Sequence, residues 1–360
     1  MLFPKVAVTV VTYNSERYIR RCLDAVLEQR DVALEVLVLD NASTDGTRAI
    51  LKEFKGRIRK ICSDRNLGFA EAQNRAIRAT TAPWVLTLNP DVLLRPGFVR
   101  ELLDAGESDP GAGAACGKLL SIGPDFEPLS DRRLDSTGMY FTPTMRHFDR
   151  GWHQPEQPQT ECREYVFGAS AAAALYRREM IEDVAIEGSF FDPDFFVYRE
   201  DADVAWRAQL FGWRCIYTPA AEAWHVRTVT PGNRRTVPAF INMHSVKNRF
   251  LMRIKNSTGG IWRRFWLPMA ARDLVVLGGA VFWEPTSLRA FWEVARAMPR
   301  AFRQRREIMS RRRVADDELA EWFRFTPAAR PADRVPAPII RTATRRRKAA
   351  AAAVLSEPTV

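Results

Sequence analysis

The chain has 360 residues, 46% hydrophobic and 27% charged, an ordinary globular composition with enough length to bury a sizeable core. Its net charge of +11 is uneven: residues 1–225 carry 27 basic and 33 acidic groups, and residues 226–360 carry 27 and 10. No recognised nucleic-acid-binding module accompanies the basic third, so nucleic acid is not an expected partner, and five widely spaced cysteines without a CxxC pair read as reduced, mostly buried thiols of a cytosolic protein.

The first residues run directly into a strand-like segment, without the charged and apolar regions of a signal peptide. Residues 6–13 (VAVTVVTY) are continuous and β-branched, as in a strand buried on both faces. A turn and cap at Asn14-Ser15 lead to a helix over 16–29, with Ile19, Cys22, Leu23 and Val26 at helical spacing. A second strand, 34–39, ends in Asp40-Asn41, and Ser43-Thr44-Asp45-Gly46 caps another helix. A short strand at 58–62, a loop at Asp64–Gly68 and a helix at 69–79 follow. Strand 84–88 ends in Asn89-Pro90-Asp91, and a helix near 97–108 closes the set. This alternation predicts an α/β fold with an open, mostly parallel sheet covered by helices. Beyond it, strands are expected at 113–120, 165–176 and 214–218, with a helix over about 200–211. From 240 to 325 the chain reads as helical and rich in Arg and Trp. The apolar run 274–283 is too short to span a bilayer, and no segment reaches ~18 uninterrupted apolar residues.

Ligands of open parallel sheets bind at the carboxyl ends of the strands. Four polar clusters sit there and are expected to converge on one crevice: Thr12-Tyr13-Asn14, Asp40-Asn41, Asp64 to Asn66, and Asn89-Pro90-Asp91. Asp40 either caps its own turn or accepts hydrogen bonds from a base or ribose. Asp91 either belongs to a common turn or holds a hard cation, since Mg²⁺ and Mn²⁺ need only one or two carboxylates beside phosphate oxygens. In residues 188–213, aromatics surround Asp192, Asp194, Glu200, Asp201 and Asp203. Carboxylates beside so much apolar surface are costly unless paired or functional. Glu200-Asp201 also suits a helix N-terminus, and a carboxylate there could take a proton from a hydroxyl. His225 is either structural or completes a metal or diphosphate site.

Five stretches together resemble family 2 glycosyltransferases of the GT-A fold, and most of all the bacterial rhamnosyltransferase-like branch: VVTYNSE at 10–16, VLDNASTDGT at 38–47, RNLGFAEAQNRAI at 65–77, LNPDV at 88–92, and residues 190–213. The resemblance covers roughly residues 5–230. It implies a GT-A sheet, ahead of the helical C-terminal region read at 240–325. It also implies an inverting, metal-dependent transfer from a nucleotide-diphosphate sugar, with dTDP-rhamnose weakly favoured, to a saccharide or lipid-linked saccharide. Residue by residue, it implies donor binding by Thr12, Tyr13, Asn14, Asp40, Asn41, Asn66, Gly68, Asn74 and Asn89. Asp91 would hold Mg²⁺ or Mn²⁺, with His225 beside it. Gly168 and Glu200 would lie on the acceptor side, and Asp201 would be the general base. Two departures stand out. Asn89-Pro90-Asp91 replaces the Asp-x-Asp common in the family, predicting looser metal binding, and Gln73 stands before Asn74 where an arginine is frequent.

The expected organisation is a catalytic domain over 1–235, with a donor half at 1–109 and an acceptor half at 110–235. A basic helical region at 236–326 and a disordered tail at 327–360 follow. The cations and aromatics of the helical region suit an anionic membrane surface, giving a cytoplasmic protein peripheral to the inner face of the membrane. The alternatives are a nucleotide-sugar-binding protein without turnover and a sugar nucleotidyltransferase. The latter usually carries a Gly-rich loop after its first strand, which Val10-Val11-Thr12-Tyr13-Asn14 lacks.

Overall fold

The computed structural model describes residues 5–156, 161–227, 238–327 and 329–331. Most of the tail expected at 327–360 lies outside them. Four parallel strands form the first half of one large sheet, in the order β3-β2-β1-β4: β1 (Val6–Thr12), β2 (Leu34–Asp40), β3 (Arg59–Cys62) and β4 (Trp84–Leu88). Every residue of β1 is buried, as its unbroken β-branched run requires of a strand covered on both faces. The covering helices are α1 (Ile19–Leu27), α2 (Thr47–Glu53) and α3 (Gly68–Arg78). In α1, Ile19, Cys22, Leu23 and Val26 turn inward, one stripe at a 3.6-residue period. Register places Thr12 opposite Asp40, and Asp40 opposite Cys62, so three strand ends finish level with one another.

The second half mixes directions. After β5 (Val92–Leu94) and α4 (Phe98–Glu107) comes β6 (Ala112–Ser121), joined to β4 through the antiparallel β11 (Ala173–Arg177). Short β7 (Leu134–Ser136) pairs with β6, and β8 (Met139–Phe141) with β9 (His147–Asp149) makes a separate hairpin. The run expected as one strand over 165–176 is two: β10 (Glu164–Val166) and β11, split by a loop over 167–172. After α5 (Arg178–Val184) and α6 (Glu200–Leu210), β12 (Arg214–His225) runs parallel to β6 and antiparallel to β5 and β10. It is longer than the expected 214–218 because its register shifts between Tyr217 and Glu222, letting it continue to His225. The chain then forms α7 (Ala239–Asn256), α8 (Gly259–Phe282), α9 (Arg289–Arg311) and α10 (Asp316–Ala320), and returns as an edge strand, β13 (Ala329–Pro331), beside β10. Residues 329–331 are therefore ordered into the sheet, although the sequence put them in the tail.

The apolar run at 274–283 is the C-terminal part of a 24-residue helix with Trp283 as its C-cap, within the region expected to be helical. That helix, α8, is long and apolar enough to cross a membrane by length and composition, and only 11% of its most apolar window is buried. Trp262, Trp266, Leu267, Leu274, Phe282 and Trp283 are all exposed. Cys22, Cys116 and Cys215 are buried thiols, while Cys62 and Cys162 are exposed.

Helix α7 is built into the first two thirds of the chain. Lys255 Nζ lies 2.5 Å from Asp192 and 3.0 Å from Asp203, both buried. Asp203 also pairs with Arg207 at 3.0 Å and accepts from Asn256 at 2.8 Å. This answers part of the question raised by the acidic, aromatic segment: Asp192 and Asp203 are neutralised from α6 and α7. Removing the cation of a buried pair leaves an uncompensated charge costing roughly 3–5 kcal/mol. Lys255→Met should lower unfolding stability by about that amount, read as a shift of the urea midpoint at unchanged slope.

Candidate functional site

The four loops that leave the parallel strands are stitched to one another. Asn14, at φ 50°, accepts from the Thr44 amide at 2.8 Å, and its own amide donates to Ser43 Oγ at 3.0 Å. Asn41 accepts from the Leu67 amide at 2.8 Å and donates to Asn66 Oδ1 at 2.9 Å. Asn66 Oδ1 in turn accepts from the Gly68 amide. Thr12 Oγ1 donates to Asp40 at 3.3 Å, and Arg48 pairs with the other Asp40 oxygen at 2.6 Å. Asp40 is therefore fully buried with both oxygens engaged, while Tyr13 beside it is half exposed.

Three residues expected at the donor or acceptor also make contacts within the frame. The Asn74 side chain donates to the carbonyl of Phe191 and accepts from its amide, at 2.7 and 2.9 Å, so it docks the 190s loop on α3. Gly68, at φ +76°, has no room for a Cβ, which would sit 2.6 Å from the ring and carbonyl of Phe196. That carbonyl accepts from the Phe69 and Ala70 amides, the otherwise unpaired donors at the start of α3. Gly168 lies under α6, where a Cβ would overlap that of Ala205. Its carbonyl accepts from Met139.

A cleft of about 690 Å³ opens where these loops meet β12 and α7. Asn89, Asp91, Glu200, Asp201 and His225 all line it. Strand β12 carries His225 beside Val92 at the start of β5, which sets His225 Nε2 3.5 Å from Asp91. His225 Nδ1 meets Asp135 at 2.7 Å. Arg227 pairs with Asp135 at 2.6 Å and with Asp149 at 2.7 Å. The result is a line of alternating charge: Asp91, His225, Asp135, Arg227, Asp149. Burial opposes protonation of His225, but the Asp135 and Asp91 carboxylates outweigh it and lift its pKa to about 10. Asp135 is held below the usual carboxylate range by His225 and Arg227, against the opposing effect of burial.

Glu200 and Asp201 stand apart from that balance. They open α6 after a turn in which Phe196, Tyr198 and Arg199 all have positive φ. Such strain persists only where surroundings over-determine it. Here Asn248 of α7 donates to the carbonyls of Phe195, Val197 and Tyr198 at 2.8–2.9 Å, and Arg199 donates to the Ser245 carbonyl at 2.9 Å. Asp201 has no cationic partner among the described residues; it accepts from the amides of Ala171 and Ala202. Burial, and then the nearby Asp149 carboxylate, raise its pKa to about 6. Glu200 is raised well above the ordinary value by burial and by Asp201, and its Oε2 is buried without a partner. The cleft thus holds two adjacent carboxyls, both raised by burial and by neighbouring negative charge, Asp201 to about 6.

Sequence reasoning missed Asp135, Asp149 and Arg227. The spacing of Arg227 two residues beyond His225 was the available signal, since alternate residues of an extended segment share a face. The pairing of each with a carboxylate some ninety residues away in sequence was not readable. Among the described residues, no group of three or more His, Cys, Asp or Glu forms a metal cluster. The donors that face one another are Asp91 and His225. An imidazole anchored at Nδ1 by a carboxylate has its other nitrogen oriented as metal-ligand histidines do. One carboxylate, one oriented imidazole and the oxygens of a diphosphate suit a hard divalent cation.

The family model for glycosyl transferase family 2 matches residues 7–185. The chain is 30% identical over 248 residues to the N-acetylglucosaminyl-diphospho-decaprenol L-rhamnosyltransferase of Mycobacterium tuberculosis, covering 62% of this chain and 77% of that protein. Among solved structures it is similar to the mannosyltransferase PcManGT of Pyrobaculum calidifontis, in complex with GDP-Man and Mn²⁺, with TM-score 0.50, 20% identity and 86% of each chain covered. It is also similar to S. aureus TarS 1-349, with TM-score 0.53, 16% identity, and 85% and 87% covered. At these identities the structural likeness is one of fold.

Removing the Asp149 charge should make Asp201 a stronger acid. In wild type the Asp201 carboxyl should titrate near pH 6 by ¹³C NMR, and in Asp149→Asn at clearly lower pH. An unmoved titration would mean that burial alone sets the value.

Proposed function

Because the chain belongs to glycosyl transferase family 2, in its rhamnosyltransferase-like branch, we propose that it transfers a sugar, with inversion, from a nucleoside-diphosphate donor to a hydroxyl of a lipid-linked saccharide. Rhamnose is the donor sugar best supported, through the mycobacterial relative. The observation that carries the reading is Asp201. Of the acidic side chains in the aromatic segment, Asp192, Asp194 and Asp203 pair with cations of the protein, while Asp201 faces the cleft without one and has a pKa near 6.

In this mechanism the ionised Asp201 accepts the proton of the acceptor hydroxyl as that oxygen bonds to the anomeric carbon. The bond from that carbon to the diphosphate breaks on the opposite face, and the nucleoside diphosphate leaves with the electron pair. Glu200, raised well above the ordinary carboxyl value by burial and by Asp201, lines the acceptor side of the cleft. Asp91 and His225 would hold a divalent cation, which offsets the charge on the departing diphosphate. His225 must give up its Nε2 proton to become a ligand, so cation binding should strengthen as pH rises. The strained turn at 196–199 and its ties to α7 fix Asp201 in place, and most of the protein's contribution is positioning and electrostatics.

The same reading sets the enzyme on a membrane surface rather than through it. Arg272 and Asp273 fall in the middle of α8, where a spanning helix would carry them to the bilayer centre. Arg253 clamps Asp273 at 2.7 Å and so ties α8 to α7. An in-plane helix with exposed tryptophans and flanking arginines fits the anionic inner face of the membrane.

The test is nucleoside diphosphate release from a panel of nucleotide sugars with Mg²⁺ or Mn²⁺. Release should occur with one donor, stop with EDTA, and fall on acidification through about pH 6 as Asp201 protonates. Asp201→Asn should lose roughly 10²–10⁴-fold in rate while still binding donor. Unchanged release by that variant would remove Asp201 from the mechanism.

A further inference from the structure

A second cavity, of about 1090 Å³, lies between α7 and α8 and shares Arg146, Arg199, Asn242 and Ser245 with the catalytic cleft. Its charged side adds Arg249 and Arg272. Its other side is the apolar flank of α8, including Val276, Gly279 and Trp283. Arg249 is 4% exposed, and the Nε atoms of both Arg249 and Arg272 are buried with no hydrogen-bond partner. Asp273 is held in a bidentate pair by Arg253 and lies 3.9 Å from Arg249. Among the described residues of the lining, Glu284 is the acidic one. Among the described residues, the buried Nε donors of Arg249 and Arg272 are unused, a place for negative charge in the cavity. Burial and the neighbouring Arg199 and Arg253 even lower the pKa of Arg249, to about 9. A bound anion would relieve all of this, and guanidinium forks match phosphate oxygens best.

The apolar flank continues outward without a break. Val275, Phe282 and Trp283 are 60%, 77% and 79% exposed, so the cavity wall merges with the bare face of α8. We propose that this cavity holds the diphosphate of a polyprenyl-diphosphate-linked acceptor, with the hydrocarbon lying along α8 and the sugar reaching the cleft past Arg146 and Arg199. The assignment rests on the transferase reading above and adds where the acceptor's lipid carrier is gripped.

The probe is farnesyl diphosphate, titrated into the full-length protein by isothermal calorimetry, with EDTA and saturating nucleoside diphosphate present to block the donor site. Farnesyl diphosphate should bind, and pyrophosphate and farnesol each much more weakly, because neither fills both halves of the site. Arg272→Gln should weaken binding roughly tenfold, the worth of one charge-assisted contact. Arg272→Lys should restore part of it, and Arg264→Gln, an exposed cation on the same helix outside the cavity, should match wild type. Equal losses from Arg264→Gln and Arg272→Gln would reduce the effect to general charge attraction and overturn the assignment. So would binding of pyrophosphate as tightly as farnesyl diphosphate, which would make the cavity a site for free phosphate compounds. Wild-type donor turnover, measured separately, tests the transferase reading. Turnover without farnesyl diphosphate binding sinks this assignment alone, and binding without turnover sinks the transferase reading.

Discussion

Five buried or half-buried side chains of alternating sign cross the floor of the cleft from Asp91 to Asp149. Each charge is affordable there only because its neighbour is opposite. The line has two negative ends. One end, Asp91, faces the imidazole that a cation would share. The other, Asp149, raises the pKa of Asp201 without touching it. One network therefore sets the electrostatics at both ends of the cleft, and it explains why β12 must run past its register shift to reach His225. A shorter strand would leave Asp135 buried with no partner from β12.

How much of this was legible in the sequence depends on the range of the interactions. The parallel strands and their helices were readable because β-branched runs and helical spacing are local signals, and the loops at their ends follow from the strands. Strands β7, β8 and β9 were not foreseen: at three residues each, they are too short for alternation to show. Asp135 and Asp149 sit on them, so missing the strands meant missing the network. Helix α8 falls within the region read as helical. Arg272 and Asp273 interrupt its apolar run in sequence, and in the folded chain Arg253 neutralises Asp273 as the helix passes through.

The site residues divide in the same way. Asp91, Glu200, Asp201 and His225 share the cleft. Asn14, Asn41 and Asn66 spend their amides tying one strand-end loop to the next, and Asn74 spends both ends of its side chain on Phe191. A polar residue at a strand end can shape a pocket as well as line it. Sequence spacing alone does not separate these roles, since both need the same polar residue at the same strand end.

The three carbonyls gathered by Asn248, together with the Lys255 bridge, make α7 a structural part of the cleft. This bears on modularity. A C-terminal helical region that merely tethered the enzyme could be exchanged between relatives, as anchoring segments often are. Here an exchange would have to bring along an amide matched to one strained turn and an ammonium matched to two buried carboxylates. Recombination within the group should therefore find its tolerated crossover points after Asn256, not ahead of α7.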